Sequence, residues 1–277
     1  MQREQPVNLN PCPVRRELPP RLVEVKGGCS GCRLHPLCLS AGLSHAELEQ
    51  FAQIVNMHHT LRRGEYLYRA GQPFSSLYVL RRGFFKMYDL SEDGREKIVG
   101  FYMPGALLGM DAISTDRYNY SAIAVEDSDL CAIPFNRLEE LFRRVPRLQH
   151  WFHRLMSLEI IRDQEIMKLL SGMRAEQRLA VFLLDLSDRF KELGYSSTRF
   201  ILRLTREEIG NYLGLTLETV SRLFSRFQAE GLIGVNGKEM RLSDLTALKM
   251  MGAGQEHAVS KYKLNSGVEV IRSLPHA

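Results

Sequence analysis

The sequence predicts an α+β protein with an N-terminal antiparallel β-roll, one long helix and a C-terminal winged helix-turn-helix. Three patterns indicate this fold class. From Met57 to Phe135, short apolar segments alternate with glycine-containing turns, as in antiparallel rolls and barrels. From Pro146 to about Leu170, one helical pattern runs without a break. Beyond it, two short helical patterns separated by a glycine precede a predicted hairpin.

These changes of pattern divide the chain into five segments. They are a flexible arm rich in proline (1–25), a cysteine loop with the β-roll as a sensor domain (26–145), a dimerisation helix (146–171), a winged helix-turn-helix domain (172–250) and a tail (251–277). At 277 residues the chain is long enough for two domains, each with its own core.

Composition and charge are those of an ordinary globular protein, with 44% hydrophobic and 25% charged residues. A net charge of +5 and a pI of about 9.0 permit binding to nucleic acid without establishing it. The N-terminus lacks the apolar core of a signal peptide, and no stretch approaches the roughly 18 apolar residues of a membrane span. We therefore expect a cytoplasmic protein without a membrane partner, whose thiols stay reduced.

Three cysteines, Cys29, Cys32 and Cys38, lie within ten residues and are interleaved with glycines. Thiolates are soft ligands that select iron–sulfur clusters, zinc or Cu(I), and C-x2-C is a common spacing in metal loops. The one candidate for a fourth ligand beyond the loop is Cys131, in the segment SDLCAIPF, whereas Cys12 lies in the arm and receives no role. The alternative is a loop of chance cysteines with a buried Cys131. The spacing favours a metal loop and leaves zinc and iron–sulfur open.

The predicted β-roll follows a short helix that Ser44 caps, with Glu47 closing a capping box. Six strands are expected, at 65–70, 75–83, 84–91, 96–103, 120–127 and 129–135. Glycines at the breaks between strands supply the positive φ that reversing turns require; they are Gly64, Gly71, Gly83, Gly94 and Gly105.

The long helix carries two apolar stripes. One alternates spacings of four and three residues like the seam of a coiled coil, and comprises Gln149, His153, Met156, Ile160, Asp163, Met167 and Leu170. The other, which we expect to face the roll, comprises Phe152, Leu155, Leu158 and Leu169. Two apolar faces on one helix favour a partner, most simply a second copy of the chain. The alternative is a helix buried on both sides within one chain.

The helix-turn-helix is predicted from its caps. Thr205 with Glu208 begins the first helix, Thr216 begins the second, and Gly214 and Gly231 end them. Gly210 lies where the two helices would cross closely. Asn-Gly at 236–237 then predicts a hairpin, which completes a winged helix. A tight turn with glycine between two such helices is the arrangement that binds DNA.

On the second of these helices Glu218, Ser221 and Arg222 share one face near the N-terminal end. Arginine reads guanine, glutamate accepts from cytosine and serine adapts to either kind of edge, so we predict that these three contact bases. The alternative is a solvated Glu–Arg pair. More loosely, phosphate contacts are predicted for Arg206, Arg226 and Lys238.

Taken together, these motifs make the region from about Cys29 to Leu248 resemble an FNR-type member of the CRP/FNR family of bacterial transcription regulators. The resemblance rests on the C-x2-C-x5-C loop with the cysteine of SDLCAIPF, on DQEIMKLLS and on IGNYLGLTLETVSR. It implies a roll of the cyclic-nucleotide-binding type and a 4Fe-4S cluster that Cys29, Cys32, Cys38 and Cys131 hold and that is lost on contact with oxygen. It also implies a homodimer on the long helix, palindromic double-stranded DNA sites of the TTGAT type and direct contact with RNA polymerase.

The sequence departs from the cyclic-nucleotide sensors of that family. Those sensors carry a glutamate and an arginine for ribose and phosphate, whereas here Met110 and Asp111 follow Gly109 and Tyr120 stands in the place of the arginine. A buried phosphate without a cation is costly, so no cyclic nucleotide is expected.

The resulting expectation is an oxygen-responsive transcription regulator, not an enzyme, since no acid/base pair or nucleophile–histidine set stands out. One rival is a regulator of the same fold with structural zinc, or with no cluster, that senses another signal. A second rival is a metalloenzyme or ligand-binding module whose helical end merely packs.

Overall fold

The computed structural model describes residues 21–23, 29–55, 57–91 and 93–253. Most of the predicted arm, Cys12 and the tail beyond residue 253 lie outside these residues. One short part of the predicted arm is a strand, because Arg21–Val23 (β1) pairs antiparallel with the strand that opens the roll. This pairing provides hydrogen-bond partners for the backbone groups at the outer edge of that neighbouring strand. The proline-rich composition of the arm did not predict it.

The cysteine loop and the first helix come next along the chain. Two short 3-10 turns, Cys29–Gly31 and His35–Leu37, lead to α1 at His45–Ile54. Ser44 Oγ accepts a 3.4 Å hydrogen bond from the Glu47 amide, and the Glu47 carboxylate accepts one of 2.8 Å from the Ser44 amide. The predicted capping box is therefore confirmed.

The roll consists of two antiparallel sheets, in the orders β1-β2-β9-β4-β7 and β3-β8-β5-β6. Its strands are β2 Met57–Leu61, β3 Tyr66–Tyr68, β4 Ser76–Arg82, β5 Phe85–Leu90, β6 Glu96–Tyr102, β7 Leu107–Leu108, β8 Ser121–Ala124 and β9 Ser128–Pro134. All six predicted strands are present. The sequence did not predict β2 as a separate strand, nor the two-residue β7, whose length is below what periodicity can detect.

The predicted turn glycines all adopt positive φ: Gly64, Gly71, Gly83, Gly94 and Gly105. At Gly83 the backbone also passes so close to Ser128 that a Cβ would overlap its side chain. A side chain at this corner would therefore be excluded by both conformation and space.

Three helices follow the roll: α2 at Phe135–Arg144, α3 at Pro146–Gly172 and α4 at Ala175–Glu192. On α3 the predicted inner stripe is buried at Phe152 and Leu169 and partly buried at Leu155 and Leu158. Phe152 packs in a cluster with α2 and the cysteine loop, while Leu169 packs in a second cluster with α4 and the C-terminal helices. The long helix therefore contacts both halves of the described chain.

The C-terminal region is a winged helix-turn-helix. It contains β10 Arg199–Ile201, α5 Arg206–Leu213, α6 Leu217–Ala229, β11 Ile233–Asn236, β12 Glu239–Leu242 and α7 Leu245–Ala253, with the strands in the order β10-β12-β11. The sequence did not predict α7. This helix packs on α4, where Gly252 lies against Val181, and it runs three residues past the boundary expected at 250. In the described part of the chain, every helix is too short or too polar to span a membrane.

Candidate cysteine centre and DNA-binding surface

The cysteine loop folds back on itself through consecutive tight turns. The amide of Cys32 donates a 3.2 Å hydrogen bond to the Cys29 carbonyl, and the amide of Cys38 donates one of 3.3 Å to the His35 carbonyl. Cys131 comes from β9, in the middle of the first sheet, where it pairs with Val79 of β4. The loop and the sheet therefore meet on one side of the roll.

The four cysteines that the sequence singled out are close enough to affect one another electrostatically. Cys29, Cys38 and Cys131 pack against the same apolar cluster. Burial raises the pKa of Cys29 to about 11, with further contributions from Cys38 and Cys32. Burial and, to a smaller extent, the other three cysteines raise the pKa of Cys131 to about 12. Burial is also the main cause that raises the pKa of Cys38. The structure thus joins a distant strand to the loop in one group of thiols.

This group of donors fits an iron–sulfur cluster. Among the described residues, no three His, Cys, Asp or Glu side chains converge closely enough to hold a single metal ion. The four thiolates of a cubane cluster bind different irons, so they surround a larger object than one zinc ion. Four thiols are the donor type that selects such clusters, and also zinc.

Sequence reasoning missed one charged neighbour of this centre. Arg81 opposes the burial effect at both Cys29 and Cys131, because its positive charge lowers their pKa values. The register of β4 against β9 shifts between Leu80 and Arg82, so Arg81 occupies a β-bulge. A bulge changes the direction of a side chain, and no feature of the sequence VLRRG predicts one there.

The helix-turn-helix has the caps that the sequence predicted. Thr205 Oγ1 accepts a 3.1 Å hydrogen bond from the Glu208 amide, and the carboxylate of Glu208 accepts one of 2.9 Å from the Thr205 amide. Gly214 ends α5 with φ of 65°, and Thr216 begins α6 by accepting from the Thr219 amide. A Cβ at Gly210 would lie 2.7 Å from the Leu215 carbonyl oxygen, so the close approach expected at this position is present.

The predicted base-reading residues are exposed on α6. Glu218, Ser221 and Arg222 all lie near the N-terminal end of the helix and none is buried. The backbone N–H of Glu218 itself and the Thr216 hydroxyl lower the pKa of the Glu218 carboxyl, and Arg222 adds to the effect. The carboxylate is therefore an ionised acceptor beside a cation at the end of the helix that would enter a groove.

The three predicted phosphate-binding residues have different surroundings. The Arg206 guanidinium lies 3.2 Å from the centre of the Phe224 ring, and burial lowers its pKa to about 10. Lys238 is exposed at the tip of the wing. Arg226 already forms a 2.7 Å ion pair with Glu230, which makes it the least available of the three.

The predicted dimer seam lies mostly on the outside of this chain. Ile160 and Met167 are 56% and 64% exposed. Gln149, His153 and Asp163 are also exposed, and Met156 and Leu170 are partly buried. This pattern argues against the alternative of a helix buried on both sides within one chain.

A cavity of about 580 Å³ lies between the roll and α3. Its lining includes the carboxylates of Asp111, Glu159 and Asp163 and one lysine, Lys97. Burial raises the pKa of the Asp111 carboxyl, and one of its oxygens is buried without a hydrogen-bond partner. Tyr120, which stands in the place of the phosphate-binding arginine of cyclic-nucleotide sensors, also lines this cavity. These surroundings are unfavourable for a phosphate group.

Comparison with known proteins is consistent with this geometry. The cyclic nucleotide-binding domain matches residues 58–145, and the Crp-like helix-turn-helix domain matches residues 177–251. The transcriptional activator protein anr of Pseudomonas aeruginosa is 44% identical over 227 residues, which cover 82% of this chain and 93% of that protein. The fumarate nitrate reduction regulatory protein of Klebsiella oxytoca is 42% identical over 84% of this chain and 92% of its own length.

Among solved structures, that of FixK2 from Bradyrhizobium japonicum superimposes with a TM-score of 0.64 at 28% identity, over 69% of this chain and 94% of that one. The predicted fold class is therefore confirmed. The rival interpretation as a metalloenzyme is wrong, because the relatives are transcription regulators. This chain is a DNA-binding transcription regulator and belongs to the FNR-type branch of the CRP/FNR family.

Proposed function

We propose that this regulator senses oxygen through a 4Fe-4S cluster held by Cys29, Cys32, Cys38 and Cys131. The observation that carries the proposal is that Cys29 and Cys38 of the loop and Cys131 of β9, about 100 residues apart in sequence, pack against one apolar cluster. When bound, the cluster supplies a centre that oxygen destroys. The protein's own part is to hold the loop against β9 while the cluster is intact.

The cluster-loaded protein is proposed to act as a homodimer on α3. The exposed apolar side chains of Ile160 and Met167 support the assignment of this dimer surface. Large apolar side chains that are exposed on one face of a helix mark an interface. The seam comprises His153, Met156, Ile160, Asp163, Met167 and Leu170. Loss of the cluster would weaken the dimer and thereby lower its affinity for DNA.

The dimer is proposed to bind palindromic sites of the TTGAT type, whose half-sites are about one helical turn apart. Glu218, Ser221 and Arg222 read bases, and Arg206, Arg226 and Lys238 contact phosphates. The exposure of the first three on α6 supports the assignment. The relatives named as activators support direct contact with RNA polymerase. No cyclic nucleotide is required, which agrees with the carboxylates that line the cavity.

Analysis of iron and acid-labile sulfide in anaerobically purified protein tests the cluster. We expect both in the wild type and in Cys12→Ser, and neither in the Ser variants of Cys29, Cys32, Cys38 or Cys131. Colourless protein with stoichiometric zinc and no sulfide would favour the zinc alternative, because Zn²⁺ is d¹⁰. A cluster retained in Cys131→Ser, or lost in Cys12→Ser, would overturn the ligand assignment.

A further inference from the structure

The long helix is tied directly to one of the candidate cluster ligands. The indole N–H of Trp151, on α3, donates a 3.2 Å hydrogen bond to the main-chain carbonyl of Cys38. The same carbonyl accepts a 3.0 Å hydrogen bond from the Ala41 amide, while the Cys38 amide donates to the His35 carbonyl. The backbone of Cys38 is therefore fixed on one side by its own turn and on the other side by α3.

This contact is partly buried, and Trp151 itself lies in the interior. Trp151 is 4% exposed and belongs to the apolar cluster that also contains Leu39, the residue after Cys38. A buried N–H needs an acceptor, and water does not readily replace a carbonyl in an apolar setting. Movement of the loop away from α3 would leave the indole N–H without its partner. The loop and the start of α3 are therefore coupled in position.

The start of α3 continues into the proposed seam without a break. Met156, five residues after Trp151, packs against the same apolar cluster as Trp151 and also belongs to the seam. Ile160 follows one turn later and is exposed. The helix is continuous from Pro146 to Gly172, and proline occurs at its first position alone, where it breaks nothing. A displacement at Trp151 is thus passed along a rigid element to the seam.

We infer that Trp151 is a positioning residue that couples the cysteine centre to dimerisation by holding the Cys38 carbonyl against α3. The inference deepens the proposed function and rests on it. It assigns the coupling to one hydrogen bond between the loop and the helix, and not to the apolar packing around it.

The measurable quantity is the ratio of two dimer dissociation constants, that of the cluster-free protein to that of the cluster-loaded protein, from anaerobic sedimentation. Trp151→Phe keeps an aromatic ring and removes the donor. We expect iron and sulfide content to be unchanged and the ratio to fall about 25-fold, because each of the two protomers loses one hydrogen bond worth about fivefold. The fall should come from a weaker cluster-loaded dimer, while the cluster-free constant stays the same.

A second variant guards against a general packing defect. The chain contains a single tryptophan, so growth on β-(3-benzothienyl)alanine replaces this one indole by a ring of the same shape with sulfur in place of N–H. This protein should show the same fall in the ratio. Phe152→Leu is the matched control, because Phe152 is buried in the same cluster and contacts Phe142 without bonding to the loop. It should keep the wild-type ratio.

The outcomes separate the inference from the proposed function. A wild type that takes up no cluster, or that dimerises equally with and without one, contradicts the proposed function. A wild type that shows coupling while both Trp151 replacements keep its ratio overturns the inference alone. An equal fall in Phe152→Leu would do the same, because general packing would then carry the coupling.

Discussion

The backbone amide of Ile98 donates a 2.7 Å hydrogen bond to Oδ1 of Asn211, which joins β6 of the roll to α5 of the helix-turn-helix. The side-chain amide of Asn211 also donates a 2.6 Å hydrogen bond to the Glu96 carbonyl. Because β6 is the outer strand of its sheet, these bonds satisfy backbone groups that would otherwise be open. One asparagine therefore completes a sheet edge and holds the DNA-binding helices against the roll.

Replacing Asn211 by alanine should lower the free energy of unfolding by about 1–3 kcal/mol, because it leaves both backbone groups of β6 without their partner. Urea unfolding followed by circular dichroism measures this change. Lys97→Ala is the matched control: Lys97 donates to the Asn211 main-chain carbonyl from an exposed position. If both variants lose the same small amount of unfolding free energy, the side-chain amide of Asn211 has no structural role of this kind.

Gly210→Ala should destabilise the helix-turn-helix by about 1–3 kcal/mol, as overpacking in a close contact does. The added Cβ would lie 2.7 Å from the Leu215 carbonyl oxygen, which is backbone and cannot rotate away. Thermal unfolding of the variant checks this. Gly172→Ala is the control, because nothing lies within 4 Å of a Cβ at that position. Its stability should be equal to or above that of the wild type, since alanine favours helix.

Local features of this fold could be predicted from the sequence, whereas long-range ones could not. The capping box of Ser44 and Glu47 and the turn at Gly214 depend on residues a few positions apart, and both are present. The strand β1 and the bulge at Arg81 depend on which segment lies beside them in the folded chain. The periodicity of apolar residues within a segment does not indicate which strand lies beside it in the folded chain.

The same distinction holds for the candidate site. The spacing of Cys29, Cys32 and Cys38 pointed to a metal loop, and the resemblance supplied Cys131 as the fourth ligand. The hydrogen bond between Trp151 and Cys38 joins residues 113 positions apart. In the sequence alone, Trp151 reads as one more apolar residue of a helix, so its link to the loop could not be seen.

Arg222→Ala and Glu218→Ala should each abolish discrimination at one base pair, at a cost of about 1–3 kcal/mol in binding free energy. Both side chains are exposed near the start of α6, so dimerisation and cluster content should be unchanged. Titrations against operator variants that differ at single base pairs measure the effect. Lys238→Ala provides the comparison, because a lost phosphate contact should weaken binding to every variant equally. Uniform weakening in Arg222→Ala would mean that Arg222 contacts phosphate.

Dimerisation of the cluster-free protein should strengthen as the pH falls. Burial raises the pKa of Asp163, Glu159 raises it further, and Arg162 acts in the opposite direction. A second Asp163 across the seam would raise it again, so the dimer binds protons more tightly than the monomer does. By linkage, the dimer gains stability as the pH falls through this raised pKa and loses it above. Sedimentation at a series of pH values measures the slope.

Two substitutions assign that pH dependence. Asp163→Asn removes the titrating group, so its dimer should show a much smaller slope. His153, which also lies exposed on the seam, provides the control position. His153→Gln should keep the wild-type slope. A slope that survives in Asp163→Asn would place the titration elsewhere.

The dimer of Asp163→Ala should persist in air without the cluster. On the seam, a two-fold axis would bring each Asp163 carboxylate close to its own copy, and two like charges that lose water on contact repel. Alanine removes this repulsion from a helix that is otherwise apolar at Ile160 and Met167. The dimer dissociation constant of the cluster-free protein should fall at least about tenfold, a change of ~1.4 kcal/mol. Sedimentation of aerobically purified protein, at concentrations where the wild type is monomeric, measures it. If the variant is equally monomeric, Asp163 lies on a solvated edge, and the seam does not set the balance between monomer and dimer.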